Sequence, residues 1–414
     1  MAMTTPVSPT TATRFPALDG LRALAATAVV GTHVAFASGW GPGDLGGRIA
    51  ARLDVGVALF FVLSGFLLSR PFLAAAVQGR PAPGAVAYLW RRALRVLPAY
   101  WLLVVAALLL LPGNAGTGTR DWVGMLSLTQ IYRIGVVSEG LTHTWSLYTE
   151  VAFYLVLPLL AAVLVRAGVR RGAWRPGRVY AVLAVLAVGG WGWLVAACTV
   201  WQESTRAGGQ VGLWLPAYAG WFGAGIALAV LSVSPVASRG VRRAHALGDH
   251  PWTCWGTAGA VLWVAATPLA GPFTLDAPTA AGAVTKNALY LVVATLVVWP
   301  LVFGDQSRGV VRQHLAGPAG QTLGRLSYGL FLFHMPVLVG GYELLGAEPL
   351  TGSFGVVFPL VWLAGTGCAW LSWRLVESPA QRFRGLVRDR SRTAPVRAGE
   401  TASASAATAT SAQA

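Results

Sequence analysis

Ten stretches of this chain stay apolar long enough to cross a bilayer, with short polar or arginine-bearing links between them. A helix needs about 20 such residues to span the hydrocarbon. The stretches cover residues 17–38, 54–77, 95–112, 145–165, 178–200, 212–232, 253–270, 284–304, 324–344 and 354–376. The pattern predicts an all-α, polytopic membrane protein with about ten transmembrane helices. No link is long enough for a separate soluble domain. The longest, 113–144, holds an amphipathic run at 122–128 that predicts a short interfacial helix. Residues 1–13 and 386–414 are rich in Thr, Pro, Ser and Ala and read as disordered tails around one membrane domain at 14–385. No internal repeat is visible, so the inverted-repeat design of many transporters gains no support.

Composition agrees. The chain has 414 residues, of which 55% are hydrophobic and 11% charged, against about 25% charged in soluble domains. The first apolar stretch spans and has no basic segment before it, so it does not read as a cleaved signal. The net charge of +16 could suggest nucleic acid. The arginines instead cluster at the ends of apolar stretches, where charge fixes orientation, and no nucleic-acid partner is expected. Placing the N-terminus in the cytoplasm leaves six basic residues outside: Arg48, Arg52, Arg120, Arg133, Arg206 and Lys286. The other 25 of the 31 fall inside, so both termini are expected to be cytoplasmic. Cys198, Cys254 and Cys368 are widely spaced and read as small packing residues. No metal motif and no nucleotide-binding loop is present.

Several polar residues fall at membrane depth, where desolvation makes them costly unless they serve a purpose. They are His33, Ser64, Arg95, Glu150, Ser327 and His334. His33 lies five residues from the end of its span and Glu150 five residues into its own, each about 7 Å deep at 1.5 Å per residue. The matched depth makes a His33–Glu150 pair possible. Arg92 and Arg95, three apart, share a helix face on the opposite side.

Six stretches stand out together: Leu18-Asp19-Gly20-Leu21-Arg22 with His33; Phe60-Phe61-Val62-Leu63-Ser64-Gly65-Phe66; Arg91-Arg92-Ala93-Leu94-Arg95 before Pro98; Thr144-Trp145-Ser146-Leu147-Tyr148-Thr149-Glu150; Ser327-Tyr328-Gly329-Leu330-Phe331-Leu332-Phe333-His334; and Glu377-Ser378-Pro379. In this order and spacing the chain resembles the acyltransferase 3 family of membrane O-acyltransferases, from about Arg14 to Arg384. The resemblance implies transfer of an acyl group from cytoplasmic acyl-CoA, a co-substrate with no bound cofactor, to a hydroxyl of a carbohydrate, lipid-linked or secondary-metabolite acceptor. It also implies that His33 is the essential histidine and that the Arg92–Arg95 pair contacts CoA phosphates. Some family members carry an extra extracytoplasmic domain; without one, acceptor choice is expected to rest with the membrane domain or a partner.

Acyl transfer to an alcohol needs the hydroxyl proton removed as the new bond forms, and a near-neutral imidazole suits that task. His33 is therefore read as general base, with transient acylation of His33 as an alternative chemistry. Glu150 is read as the group that orients it. Arg92 and Arg95 offer a fork for phosphate, although inner arginines also serve as anchors. Ser64, Tyr148 and His334 are possible lining residues, each with a packing reading beside it. Ser64-Gly65 suits close helix approach. Asp19 and Arg22 read as a mutual ion pair, and Glu377 as a partner for a nearby arginine. His143, His245, His250 and His314 are placed in loops and assigned no role. The rival reading is a proton-coupled transporter or exporter, since intramembrane His and Glu also build proton relays.

Overall fold

The computed structural model describes residues 14–133, 138–201, 208–274 and 276–387. The tail assignments at 1–13 and beyond 387, and Arg206, lie outside them.

Proline at the first helical turn starts several elements, where its missing N–H leaves no bond unmade. These are α1 (Pro16–Ala37), α7 (Pro176–Ala196), α10 (Pro251–Ala265) and α13 (Pro318–Leu345). Side-chain caps start others. Asp44 caps the short α2 (Leu45–Ala51), Ser238 caps α9 (Arg239–Gly248) and Thr279 caps α11 (Ala280–Val302), each accepting a backbone N–H left free in the first turn. The other helices of seven or more residues are α3 (Val55–Val77), α4 (Ala85–Leu110), α5 (Thr119–Leu126), α6 (Trp145–Gly168), α8 (Ala219–Val233), α12 (Val310–Ala316) and α14 (Phe354–Ser372). The only strands among the described residues are a two-residue hairpin at Val169–Arg170 and Ala173–Trp174. The α5 helix is the short element expected in the longest link.

Nine segments among the described residues are long and apolar enough to span a membrane. The tenth expected span, 253–270, forms α10, which has 15 residues. It still runs from one face of the bundle to the other. Near its start, Cys254 Sγ contacts Leu247 O at the end of α9. At its far end, Arg52 Nε donates to Ala265 O at 2.8 Å. Its shortness is offset by the 3-10 turn Pro268–Ala270 that follows.

Both ends of the described chain reach the same face. Phe15 packs edge-on against Phe66 of α3 at 5.1 Å, and Trp90 Nε1 donates to Phe383 O at 2.9 Å. This face carries the arginine clusters. The opposite face carries Lys286, paired with Asp54 at 2.6 Å.

Close helix contact sets the centre. A Cβ on Gly65 would lie 2.2 Å from Phe222 O, and one on Gly225 would lie 2.0 Å from Val62 O. These two glycines let the backbones of α3 and α8 touch, the role expected of Gly65. Beside them Phe61, Phe222 and Phe153 stack, with centroids 4.5 and 4.1 Å apart. The three cysteines are free thiols.

Candidate active site

His33 on α1 meets His334 on α13. His334 Nε2 lies 3.0 Å from His33 Nδ1, and His334 is fully buried. The tautomers follow from the acceptors around them. His334 Nδ1 is 2.7 Å from Phe331 O and 3.2 Å from Leu330 O. A carbonyl oxygen only accepts, so Nδ1 carries the proton and Nε2 of the neutral ring accepts. His33 Nδ1–H then donates to it, which leaves the lone pair of His33 on Nε2. The order carbonyl, His334, His33 thus fixes one tautomer at each ring.

A third imidazole completes the cluster. His143 lies in the 3-10 turn Thr142–Thr144 that leads into α6. Its ring centre is 4.8 Å from that of His334 and 6.5 Å from that of His33. Its Nε2 is 3.1 Å from Leu332 O and must donate there. Nδ1 is then an acceptor, buried and without a partner. A bare buried acceptor costs about 1–3 kcal/mol unless a donor reaches it. This corrects the placement of His143 in a loop away from the membrane-depth histidines: it stands beside them. His245 and His314 sit in the short helices α9 and α12 on the arginine-rich face.

Glu150 does not orient His33. It accepts a short hydrogen bond from Ser64 Oγ. The reason is depth. The helical segment begins at Thr142 rather than Trp145, and it is His143 that stands level with His33. Glu150 is seven residues further along, about 10 Å deeper by helix rise. There it lines a small chamber with Arg22, Phe60 and Tyr328. Tyr154 is close enough to Glu150 to interact with it electrostatically. Arg92 lies over the Tyr154 ring at 5.7 Å, and Arg22 is within electrostatic reach of Glu150, Arg92 and Arg95. Glu377 accepts from Ser372 Oγ at 3.4 Å, with Arg95 within electrostatic reach. Two polar atoms here are buried without partners, Arg22 Nε and the Tyr88 hydroxyl.

Two further expectations change. Asp19 contacts Arg14 at 3.8 Å rather than Arg22, so Arg22 is directed into the chamber. The Tyr148 hydroxyl bonds that of Tyr100 at 3.1 Å, and Tyr100 donates to Met125 O at 2.5 Å. Tyr148 thereby anchors α5 and lines neither the small chamber nor the larger cavity described next. Ser327 donates to Gly324 O at 2.8 Å within its own helix.

The larger cavity, of about 690 Å³, opens on the Lys286 face. Asp54, Lys286, Tyr218, Trp145 and Trp221 line it, and Val57 is shared with the small chamber. Asp54 is close enough for its charge to act on His33. The cavity and the chamber meet at Val57. Among the described residues no group of His, Cys, Asp and Glu has the geometry to hold a metal ion.

The acyltransferase 3 family, described as an acyltransferase domain, matches residues 15–374. The chain belongs to this family. It is 26% identical over 394 residues to the acyltransferase MdmB of Streptomyces mycarofaciens, covering 90% of this chain and 93% of that one. It is 25% identical over 360 residues to nodulation protein 10 of Rhizobium leguminosarum bv. viciae, covering 80% and 82%. A shorter match of 167 residues, 28% identical, links it to the peptidoglycan O-acetyltransferase OatA of Listeria monocytogenes, covering 36% of this chain and 25% of that one. No solved structure is significantly similar. The chain is thus a multi-pass membrane enzyme that transfers acyl groups to oxygen. As an acyltransferase 3 protein it places its motif residues in two groups along the bundle: His33 and His334 at one level, and Arg22, Ser64, Glu150, Arg92 and Arg95 at the other. Reading from sequence alone gave Arg22 only an ion pair with Asp19 and gave His143 no place near His33. Arg22 carries a guanidinium six residues into a spanning helix, and its cost in lipid is a signal of function. His143 immediately precedes the Thr144–Glu150 stretch, and only the boundary of that span hid it.

Proposed function

We propose that this O-acyltransferase takes its acyl group from acyl-CoA at the arginine-rich face, with His33 as general base. The observation that carries the reading is the His334–His33 contact, which leaves His33 Nε2 as an available lone pair. In the reaction the acceptor hydroxyl gives its proton to Nε2 as its oxygen attacks the thioester carbonyl. The tetrahedral intermediate collapses, the C–S bond breaks, and the imidazolium returns the proton to the leaving sulfur. An ester and free CoA result. His143 Nδ1 accepts from a second hydroxyl of the acceptor, neighbouring the one that reacts, which satisfies the atom otherwise left bare.

Arg92 and Arg95 hold CoA phosphates through paired N–H donors. Arg22 contacts the arm between phosphate and thioester. Arg22 and His33 are eleven residues apart on one helix, about 16 Å, a distance that an extended pantetheine arm covers. The excess of arginine on the face that holds both chain ends supports a cytoplasmic position for it. The acceptor then meets the enzyme from the other side. The named activity of OatA toward peptidoglycan supports a carbohydrate hydroxyl as one acceptor class.

The test is acetyl-CoA turnover in lipid nanodiscs with the cell-envelope glycan fraction as acceptor, followed by mass spectrometry for an added acetyl group. His33→Ala should abolish the added mass while folding is retained. Solute flux into proteoliposomes without thioester loss would support a transporter instead.

A further inference from the structure

We propose that Tyr88 is a further donor-binding residue, whose hydroxyl donates a hydrogen bond to the diphosphate of acyl-CoA. This contact rests on the acyl-CoA reading above and adds a third side chain to the arginine pair of α4.

Helix geometry puts Tyr88 with that pair. Tyr88, Arg92 and Arg95 stand at i, i+4 and i+7 of α4, positions that follow one another along a single helix face. Arg92 and Tyr88 are within electrostatic reach of each other. The start of α4 lies at the arginine-rich face, where Trp90 Nε1 donates to Phe383 O. Tyr88 is therefore the member nearest that face, about 6 Å before Arg92 and about 10 Å before Arg95 by helix rise.

The hydroxyl has no partner of its own. Tyr88 is 6% exposed, and its oxygen is buried without a hydrogen bond, an arrangement that costs stability until a partner arrives. The ring is held by other means, since Phe72 of α3 meets it edge-on at 5.6 Å. The carboxylate within its reach, Glu150, accepts from Ser64 instead. Packing thus accounts for the ring and leaves the hydroxyl to a ligand. The neighbours indicate which kind. Arg22, whose Nε is the other buried group without a partner here, is within electrostatic reach of Arg92 and Arg95. Guanidiniums only donate, so none of them can accept from the phenol. An oxyanion with several acceptor oxygens takes bonds from the phenol and the guanidiniums together.

Order along the donor selects the diphosphate. Outward from the thioester, CoA carries the pantetheine arm, then the diphosphate, then the ribose with its 3′-phosphate and adenine. With the arm running inward past Arg22 toward His33, the diphosphate falls at Arg92 and Arg95 and at the helical turn before them, where Tyr88 stands. The 3′-phosphate lies further out, nearer solvent than a side chain as buried as Tyr88.

The experiment uses Tyr88→Phe in the full chain in nanodiscs, which keeps the ring against Phe72 and removes only the hydroxyl. Kd is measured for CoA, 3′-dephospho-CoA and pantetheine by competition against labelled acetyl-CoA. CoA and dephospho-CoA should each bind the variant about tenfold or more weakly than wild type, the loss of one hydrogen bond to a charged group. Pantetheine, which has no phosphate, should bind both proteins alike. The Tm of the ligand-free variant should equal or exceed that of wild type, because an unpaired hydroxyl adds nothing to the fold. An unchanged Kd for CoA in Tyr88→Phe, with Arg92→Lys weakened, overturns the proposal and leaves the donor reading standing. A loss seen with CoA and not with dephospho-CoA also overturns it, placing the hydroxyl on the 3′-phosphate. A lowered Tm with all three probes weakened equally shows a structural role and overturns it as well. A wild type that binds pantetheine as tightly as CoA overturns the donor reading itself, and the Tyr88 contact with it.

Discussion

His334 Nε2 stands 3.0 Å from His33 Nδ1 across 301 residues of sequence. The partner of the candidate base is a second imidazole, itself held by the carbonyls of Leu330 and Phe331. A neutral ring in that place fixes the tautomer of His33 as a carboxylate does in a triad, without placing a second charge in the bilayer.

His334→Ala should therefore impair chemistry and not donor binding. Turnover should fall by about 10²–10⁴-fold, the scale of general-base catalysis, with the KM for acyl-CoA little changed. His334→Gln, whose amide can still accept from Nδ1–H, should recover part of the loss. Equal damage in both variants, or a shift confined to KM, would show that His334 only packs.

His143→Phe keeps the aromatic contact with Phe331, 5.2 Å between ring centres, and removes the bare Nδ1 acceptor. The KM for the acceptor hydroxyl should rise by roughly tenfold, the worth of one hydrogen bond in a buried site. Steady-state kinetics with varied acceptor reads this directly, and an unchanged KM would remove His143 from acceptor binding.

Replacement of Arg92 or Arg95 by Lys keeps the charge and removes the paired donors. Affinity for acyl-CoA should drop by roughly tenfold in either variant, about 1.4 kcal/mol, as read by calorimetric titration in nanodiscs. Affinity equal to wild type would return both residues to membrane anchoring.

Glu150 and Arg22 should behave as one unit, and Glu150 and His33 as two. Glu150→Gln and Arg22→Gln are each expected to weaken acyl-CoA binding, with the double variant losing less than the sum of the two. Glu150→Gln should have the same effect in a His33→Ala background as in wild type. Coupling between Glu150 and His33 in that binding cycle would contradict the levels seen along the bundle.

Arg52 carries a purely structural prediction. It is 1% exposed and donates to the carbonyls of Ala265, Ala270, Gly271 and Pro272. Arg52→Ala strands those oxygens and should destabilise the fold by about 3 kcal/mol, seen as a lower Tm in detergent. Lys should rescue little, because one ammonium has too few donors for four carbonyls.

The sequence by itself determined the apolar spans, the face that carries the arginines and the residues too polar to sit idle in lipid. These follow from local rules: a helix in hydrocarbon satisfies its own backbone, and a buried charge stands out against an apolar run. His33, Arg92, Arg95 and Glu150 were legible for that reason. The tertiary structure alone decided who meets whom. Depth estimates fail by a turn wherever a span boundary shifts, and the 3-10 turn at Thr142–Thr144 moved Glu150 away from His33 and brought His143 in. Contact across helices depends on rotation and crossing, set by close-packed pairs such as Gly65 with Phe222, and no periodicity within one helix encodes its neighbour's angle. The cavity on the Lys286 face arises the same way. Its walls come from α3, α6, α7, α8 and α11, and a space between five helices exists only once all five are packed.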